Sequence, residues 1–186
     1  KDFKKTIGFI KENPNEAHLL LSKLTDACFL YLRKQVQAGA DVIQIFDSWA
    51  NILDAEDLNN YSFQYIKSLI DALKNDSITS NIPIISFARD PKCSTESLLD
   101  TSADCLSLYW SMNNFNIRLA ENKTALQGNL DPKILLESKD IIKVETHKLL
   151  EKFKNFPGYI FNLGHGLTPD ICPNKVKYLT ELVRDY

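Results

Sequence analysis

Closely spaced cysteine pairs are missing from this sequence of 186 residues. Cys28, Cys93, Cys105 and Cys172 stand alone, with no C-x-x-C or C-x-C among them. A structural zinc site usually takes its ligands in such short-spaced pairs. The sequence therefore predicts no metal site. It predicts four reduced, mostly buried thiols, as is typical of an intracellular protein.

A strong net charge is missing as well, because 22 lysines and arginines face 24 aspartates and glutamates, for a formal net charge of -2. This balance does not favour non-specific binding to nucleic acid or membranes, although a local cluster of cations could still bind a polyanionic small ligand. No apolar run approaches the ~20 residues of a membrane-spanning helix. No signal or transit peptide is visible. We therefore expect neither nucleic acid nor membrane as a partner.

Hairpin turns are also missing, and short apolar strand patterns alternate with helical ones instead. Apolar residues recur at spacings of three and four in 15–38, which predicts a helix that Gly39 ends. Further helices are predicted at 59–75, 95–103 (with a capping signal at Thr95), 115–121, 140–155 and 173–186. Strands are predicted at 42–46, 82–90, 104–110, 124–132 and 159–166. Apolar strands separated by helices indicate a parallel sheet covered by helices.

Two α/β architectures fit this alternation, an open doubly wound sheet and a (β/α)8 TIM barrel. No G-x-G-x-x-G follows the first strand, and five β/α units are too few to close a barrel of roughly 250 residues. Such a set would leave two strand edges exposed. A truncated barrel is the better interpretation, and it also accounts for a chain that begins at Lys1 rather than Met.

Polar residues follow every predicted strand, and ligands of α/β folds bind at the carboxyl ends of the strands. The sequence therefore predicts one ligand site there. The clearest case is "YIFNLGHG", in which a strand ends at His165 between Gly164 and Gly166. Glycine on both sides allows a positive φ or the close approach of another group. A histidine in this setting is expected to face a ligand.

Three stretches, "GADVIQIFDSWA", "LQGNLDP" and "FNLGHGLTPD", resemble signature segments of the uroporphyrinogen decarboxylase family of haem biosynthesis, in the family's order and at comparable spacing. The helix before the first of them is similar as well. The resemblance runs from near Lys1 to Tyr186. It implies that residues 1–186 are the C-terminal half, or slightly more, of a single (β/α)8 barrel domain, with roughly the last five β/α units.

The resemblance also implies an activity. Family members are carboxy-lyases that convert the four acetate side chains of uroporphyrinogen III to methyls, giving the tetrapyrrole coproporphyrinogen III without a metal or organic cofactor. It implies a homodimer that is cytoplasmic, or plastid if a transit peptide precedes it. The family's arginine-containing substrate loop, catalytic aspartate and site tyrosine are expected N-terminal to Lys1. No catalytic residue is therefore assigned here, and the 186 residues alone are expected to be inactive.

Substrate-binding roles for Ser48 and His165 follow from the family's matching positions, and both side chains can hydrogen-bond a carboxylate. Arg89 could bind a carboxylate bidentately, and Asn162 is a further candidate. Each has a structural alternative. Ser48 could cap the next element, and His165 could be satisfied by backbone carbonyls in a tight turn. Arg89 could pair with Asp90, and Asn162 could brace the glycine turn.

Other polar residues are expected to be structural. Asp47 should point away from Ser48 because side chains alternate along a strand. The side chains of Gln127, Asn129 and Asp131 should hold the "GNLDP" turn through bonds to its backbone. Two histidines on helices, His18 and His147, should face solvent. Tyr109 stands where the family commonly has an aspartate, which affects the expected network near Trp110.

Two other functions fit the sequence. A zinc-dependent methyltransferase of the same superfamily would need a histidine and cysteines at one metal, yet Cys172 follows His165 by seven residues without a second cysteine nearby. A non-catalytic fragment that only associates is the other. The strand with Ile43, Ile45 and Phe46 would then be an unpaired edge, and the isolated chain should aggregate or stay partly molten.

Overall fold

The computed structural model describes residues 3–112 and 114–186. The chain divides into two compact units, Lys1–Asp104 and Cys105–Tyr186.

The first unit surrounds two parallel strands with helices. Its elements are helix α1 (Lys4–Glu12), helix α2 (Pro14–Gln37), strand β1 (Ile43–Asp47), a 3-10 turn (Ala50–Ile52), helix α3 (Ala55–Leu58), a π-helical turn (Asn59–Phe63), helix α4 (Gln64–Asn75), strand β2 (Ile84–Ala88) and helix α5 (Thr95–Leu99). Strand β1 pairs with β2 in register, from Ile43 opposite Ile84 to Asp47 opposite Ala88. Helix α4 packs on α2 and buries an apolar face, with Ile66, Leu69, Ile70 and Leu73 inside.

The second unit repeats the pattern with three parallel strands. Its elements are strand β3 (Cys105–Ser107), helix α6 (Ile117–Ala120), strand β4 (Ala125–Gln127), a 3-10 turn (Pro132–Leu136), helix α7 (Lys139–Phe153), strand β5 (Tyr159–Ile160) and helix α8 (Pro173–Arg184). Strand β4 pairs with β3 on one side and β5 on the other. Helices α7 and α8 enclose a core of Leu130, Leu135, Ile142, Ile171 and Leu179.

The α/β class and the alternation of five strands with helices are confirmed. The alternation is that of a (β/α)8 barrel to which the chain supplies five units. Helix α2 ends as predicted, because Gly39 has a φ of 101° that other residues rarely adopt. No helix among the described residues is long and apolar enough to cross a membrane.

Several predicted boundaries are wrong. Helix α1 was not predicted, and the helix expected at 59–75 starts at Ala55 and contains a π-helical turn. The cap of α5 is Ser94, whose hydroxyl accepts the Ser97 N–H, rather than Thr95. Strands β2 to β5, and the helices predicted at 95–103 and 115–121, are shorter than expected.

The expected exposure of the two helix histidines is also wrong. His18 is half-buried, with Nδ1 at 2.7 Å from the Tyr65 hydroxyl oxygen and its ring stacked on Tyr61 at 4.8 Å between centroids. His147 is half-buried too, and its ring lies 6.0 Å from that of Tyr186. These partners are distant in sequence, so the helical pattern alone could not show them.

The first unit should lose stability in acid through one ion pair. The Arg33 side chain donates to the Asp76 carboxylate at 3.1 Å. Desolvation of this carboxyl acts to raise its pKa, but the Arg33 hydrogen bond and the Ile78 N–H outweigh it and hold the pKa below its ordinary value of 3.8. The pair therefore stabilises the fold fully above about pH 4, and this contribution disappears as the pH falls through the lowered pKa.

In the full-length protein, Arg33→Gln should accordingly lower the urea midpoint of unfolding at pH 7, and the difference from wild type should shrink as the pH is lowered below about 4. Lys177, which faces Glu181 at 3.9 Å in an exposed helix pair, provides the matched control. Lys177→Gln should leave the midpoint nearly unchanged. A difference for Arg33→Gln that stays constant from pH 7 to pH 3 would contradict the role given to Asp76.

Candidate functional site

At the carboxyl end of β1, Asp47 has the structural role expected of it. Its carboxylate accepts the Trp49 N–H at 3.2 Å and the Ser62 hydroxyl. Its backbone carbonyl accepts the Arg89 N–H at 3.0 Å. Asp47 therefore fixes the segment that follows β1 and joins it to the end of β2.

Ser48 lies between these fixed residues with an exposed side chain. The structural alternative for Ser48 was a cap, but the caps that follow come from other residues. The 3-10 turn begins after Trp49 without a side-chain cap, and Asp54 caps α3 by accepting the Asp57 N–H at 2.9 Å. The Ser48 hydroxyl is thus placed at the strand end without a capping role.

Arg89 immediately follows β2 and is half-buried. Its guanidinium carbon lies 5.5 Å from the centroid of the Trp49 ring, which is the distance of a cation–π contact. The ring of Phe3 contacts Trp49 as well, at 4.7 Å between centroids. The aromatic contact of Arg89 was not predicted from sequence, because Trp49 is forty positions away.

The expectation of mostly buried thiols is wrong, because Cys105 is buried, Cys93 is half-buried, and Cys28 and Cys172 are exposed. Burial raises the pKa of the Cys93 thiol to about 11, so this thiol stays protonated at neutral pH. A thiol must lose its proton to bind a metal or act as a nucleophile. In residues 3–112 and 114–186, no group of three or more histidine, cysteine, aspartate or glutamate side chains is arranged to hold a metal ion.

In the second unit, polar side chains join the ends of β3 and β4. The Gln127 amide donates to the Ser107 hydroxyl at 3.0 Å, and the Asn129 amide donates to the Tyr109 carbonyl at 3.0 Å. The prediction that both residues hold their own turn is therefore wrong, since both bond to the neighbouring strand. It is correct for Asp131, whose carboxylate accepts the Lys133 N–H at 2.9 Å.

The segment carrying His165 is anchored through Gly164. Leu163 forms a parallel bridge with Leu130, and the Gly164 N–H donates to the Leu130 carbonyl at 2.8 Å. A Cβ atom on Gly164 would lie only 2.3 Å from the Trp110 nitrogen, so close approach is the reason for this glycine. Gly166 has open space around it and no positive φ, so the expectation that both glycines are required is wrong for Gly166.

The His165 side chain is exposed. Its ring meets the Tyr109 ring nearly perpendicularly, with 5.9 Å between centroids, and Nδ1 lies 3.4 Å from the Gly166 carbonyl oxygen. That bond is long for an N–H donor. The ring is therefore oriented by an aromatic neighbour while much of its polar edge faces outward.

Tyr109, the residue that replaces the family's usual aspartate, is buried and contributes to this aromatic surface. Its ring lies 5.6 Å from that of Trp110, and the ammonium of Lys133 lies 5.8 Å from the Trp110 ring centroid. Sequence reasoning missed Tyr109 as the neighbour of His165. The sequence did contain a signal for this neighbour, namely the adjacent aromatic residues Tyr109 and Trp110 that follow β3.

Asn162 is exposed, and its side-chain oxygen accepts the Leu163 N–H at 2.8 Å. It therefore braces the segment before Gly164, as its structural alternative predicted, and the amide nitrogen still faces outward as a donor. Tyr159 supports the same region by donating its hydroxyl to the Gly128 carbonyl, and burial raises the pKa of that hydroxyl.

The four sequence-predicted residues thus fall into two local groups, each at the strand ends of its own unit. Ser48 and Arg89 flank the Asp47–Trp49 segment of the first unit. Asn162 and His165 lie on the anchored loop of the second. Hydroxyl, guanidinium, amide and imidazole groups of this kind are donors suited to carboxylates.

A family model described as "Uroporphyrinogen decarboxylase (URO-D)" matches residues 1–186. Among curated proteins, the chain is 42% identical over 186 residues to "Uroporphyrinogen decarboxylase" of Aquifex aeolicus, covering 100% of this chain and 54% of that protein. It is 40% identical over 176 residues to "Uroporphyrinogen decarboxylase" of Chlorobium limicola, covering 92% of this chain and 50% of that protein. The chain spans about half the length of these relatives.

Among solved structures, a "methyltransferase from Methanosarcina mazei" is similar, with a TM-score of 0.66 and 20% identity over 87% of this chain and 47% of that one. Identity at this level supports a common fold and carries no statement about chemistry.

Proposed function

Because the chain belongs to the uroporphyrinogen decarboxylase family, we propose that it forms part of an enzyme that decarboxylates the four acetate side chains of uroporphyrinogen III to methyls, without a cofactor. Residues 1–186 would form the C-terminal part of a single barrel domain, and the enzyme would act as a homodimer. The observation that best supports this proposal is the set of donor groups at the strand ends, namely the exposed Ser48, Asn162 and His165 and the half-buried Arg89.

The reaction makes specific demands on these groups. Loss of carbon dioxide from an acetate arm leaves a carbanion unless the pyrrole ring accepts the electron pair. Protonation of a pyrrole carbon makes the ring cationic and able to do so. The exocyclic methylene left by loss of carbon dioxide then takes up a proton to become the methyl, and the ring releases the proton that it had gained. The protein must hold the carboxylates while this charge develops.

The described residues fit the carboxylate-holding part of this task. The Ser48 hydroxyl can donate one hydrogen bond, and the Arg89 guanidinium can donate two parallel ones to a single carboxylate. The His165 imidazole can donate a hydrogen bond to a carboxylate from a ring N–H. The proton donor itself is expected outside residues 1–186.

The test is product formation by the full-length protein. Incubation with uroporphyrinogen III under reducing conditions should yield coproporphyrinogen III, together with intermediates that have lost one to three carboxyl groups. The methyltransferase alternative is supported here only by fold similarity. Metal analysis of the same preparation separates the two, since stoichiometric zinc with no loss of substrate carboxyls would favour the methyltransferase.

His165→Ala in the full-length enzyme should lower kcat/KM for uroporphyrinogen by roughly ten- to hundredfold, because a hydrogen bond to a charged group is worth about 1.5–3 kcal/mol. His147→Ala is the matched control, since that histidine lies half-buried on α7 beside Tyr186. It should leave kcat/KM unchanged. An unchanged rate for His165→Ala would mean that His165 serves only as a turn residue.

A further inference from the structure

Trp49, which follows β1, contacts two side chains, and the proposed function does not explain these contacts. Trp49 is 45% exposed. Arg89 lies over the ring at 5.5 Å from the centroid, and Phe3 contacts the ring at 4.7 Å.

Backbone hydrogen bonds fix both members of the Trp49–Arg89 pair to the same residue. The Asp47 carbonyl accepts the Arg89 N–H at 3.0 Å, and the Asp47 carboxylate accepts the Trp49 N–H at 3.2 Å. The Ser62 hydroxyl donates to that carboxylate and limits its movement. These bonds fix the backbone positions from which the Trp49 ring and the Arg89 guanidinium extend.

This arrangement prepares a guanidinium for binding an anion. A ring that covers the flat face of arginine leaves the N–H groups at its edge available, and two of them match the oxygens of a carboxylate. An unrestrained arginine loses side-chain entropy when it binds, whereas one already held on a ring loses less.

We propose that Trp49 is a positioning residue, which holds the Arg89 guanidinium so that its N–H edge binds a carboxylate of the ligand. The inference rests on the proposed function for the ligand class, a polycarboxylate. The exposed Ser48 hydroxyl adjoins Trp49 in the chain and can donate to the same anionic ligand. Trp49 then acts on ligand affinity through Arg89 rather than on the chemical step.

The kinetic test compares Trp49→Leu with Trp49→Phe in the full-length enzyme. Trp49→Leu removes the aromatic face and should raise KM for uroporphyrinogen by about 3- to 30-fold with little change in kcat, whereas Trp49→Phe keeps a face and should rescue most of the loss. In an Arg89→Leu background, Trp49→Leu should cause no further rise in KM.

Two kinetic outcomes would overturn the inference. Equal KM values for Trp49→Leu and Trp49→Phe would show that the aromatic face is not what matters. The same rise in KM on Trp49→Leu with and without Arg89 would show that Trp49 acts through its packing on Phe3.

If Trp49→Leu does not fold, Arg89→Lys replaces it, because lysine keeps the charge but loses the planar fork. An unchanged KM for Arg89→Lys would then overturn the inference.

A binding test separates this inference from the proposed function. The full-length protein is labelled with 5-fluorotryptophan, and the 19F resonance absent from Trp49→Phe is assigned to Trp49. Mellitate, a benzene hexacarboxylate that the enzyme cannot process, should shift this resonance, and Arg89→Leu should abolish the shift. If mellitate shifts the resonance and Arg89→Leu abolishes the shift, but the protein does not decarboxylate uroporphyrinogen, then the proposed function fails and the inference stands. A Trp49 resonance that mellitate leaves unmoved overturns the inference, whatever the activity assay shows.

Discussion

Gly164→Ala is expected to lower the free energy of unfolding by about 3 kcal/mol or more, at or beyond the upper end of the usual cost of overpacking. The added Cβ would lie 2.3 Å from the nitrogen, 2.6 Å from the Cα and 2.7 Å from the Cβ of Trp110. Two of these atoms belong to the backbone and cannot rotate away. The segment carrying His165 would have to move, so KM for uroporphyrinogen should rise as well.

Gly166→Ala is the matched control, because no atom lies within 4 Å of a Cβ built there. Both substitutions reduce the entropy of the unfolded chain to the same extent, so the difference between them isolates the clash with Trp110. Urea denaturation of both variants of the full-length protein gives that difference. Gly166→Ala should stay within about 0.5 kcal/mol of wild type. Equal destabilisation by the two substitutions would show that Trp110 does not constrain Gly164.

Local patterns predicted the long helices well. Helices α2 and α7 differ from their predicted ranges by one or two residues, because each has many apolar residues at helical spacing. Gly39 marked the end of α2 for a local reason, its positive φ. The ends of the strands were predicted less well, because β2, β3, β4 and β5 all end before their predicted limits at 90, 110, 132 and 166.

Contacts between residues far apart in sequence could not be predicted in this way. The need for Gly164 arises from Trp110, and the placement of Arg89 arises from Trp49. The "G-H-G" pattern predicted that His165 faces a ligand, but it assigned equal importance to both glycines. Only one of them has a neighbour. The sequence identifies the residue types at a site, whereas packing decides which of them are indispensable.

The 186-residue polypeptide, produced alone, is expected to show no measurable decarboxylation and to aggregate or unfold without a sharp transition. It spans 54% of the Aquifex aeolicus relative, and five β/α units do not close an eight-stranded barrel. Strand β1 pairs with β2 on one side, and no other strand of the described first unit pairs with its second side. An edge of this kind favours pairing with other chains.

The exposed side chains around β1 should add to this tendency. Phe46 is 62% exposed and Val42 is 49% exposed. Helix α2 also exposes several large apolar side chains, which are Leu19, Leu20, Leu24, Leu30 and Tyr31. Apolar surface of this extent is normally covered in a stable protein. A full-length protein that buries these groups would unfold cooperatively, while the 186-residue polypeptide would not.

Size-exclusion chromatography, thermal unfolding and the uroporphyrinogen assay should be run in parallel on the 186-residue polypeptide and the full-length protein. Replacing Phe46 by lysine in the polypeptide places a charge on the open edge and should reduce aggregation without restoring activity, because charged edge residues oppose edge-to-edge pairing. A monomeric polypeptide with a sharp thermal unfolding transition would show that the unpaired edge of β1 does not cause aggregation. Coproporphyrinogen formed by the polypeptide alone would show that its own residues include the proton donor.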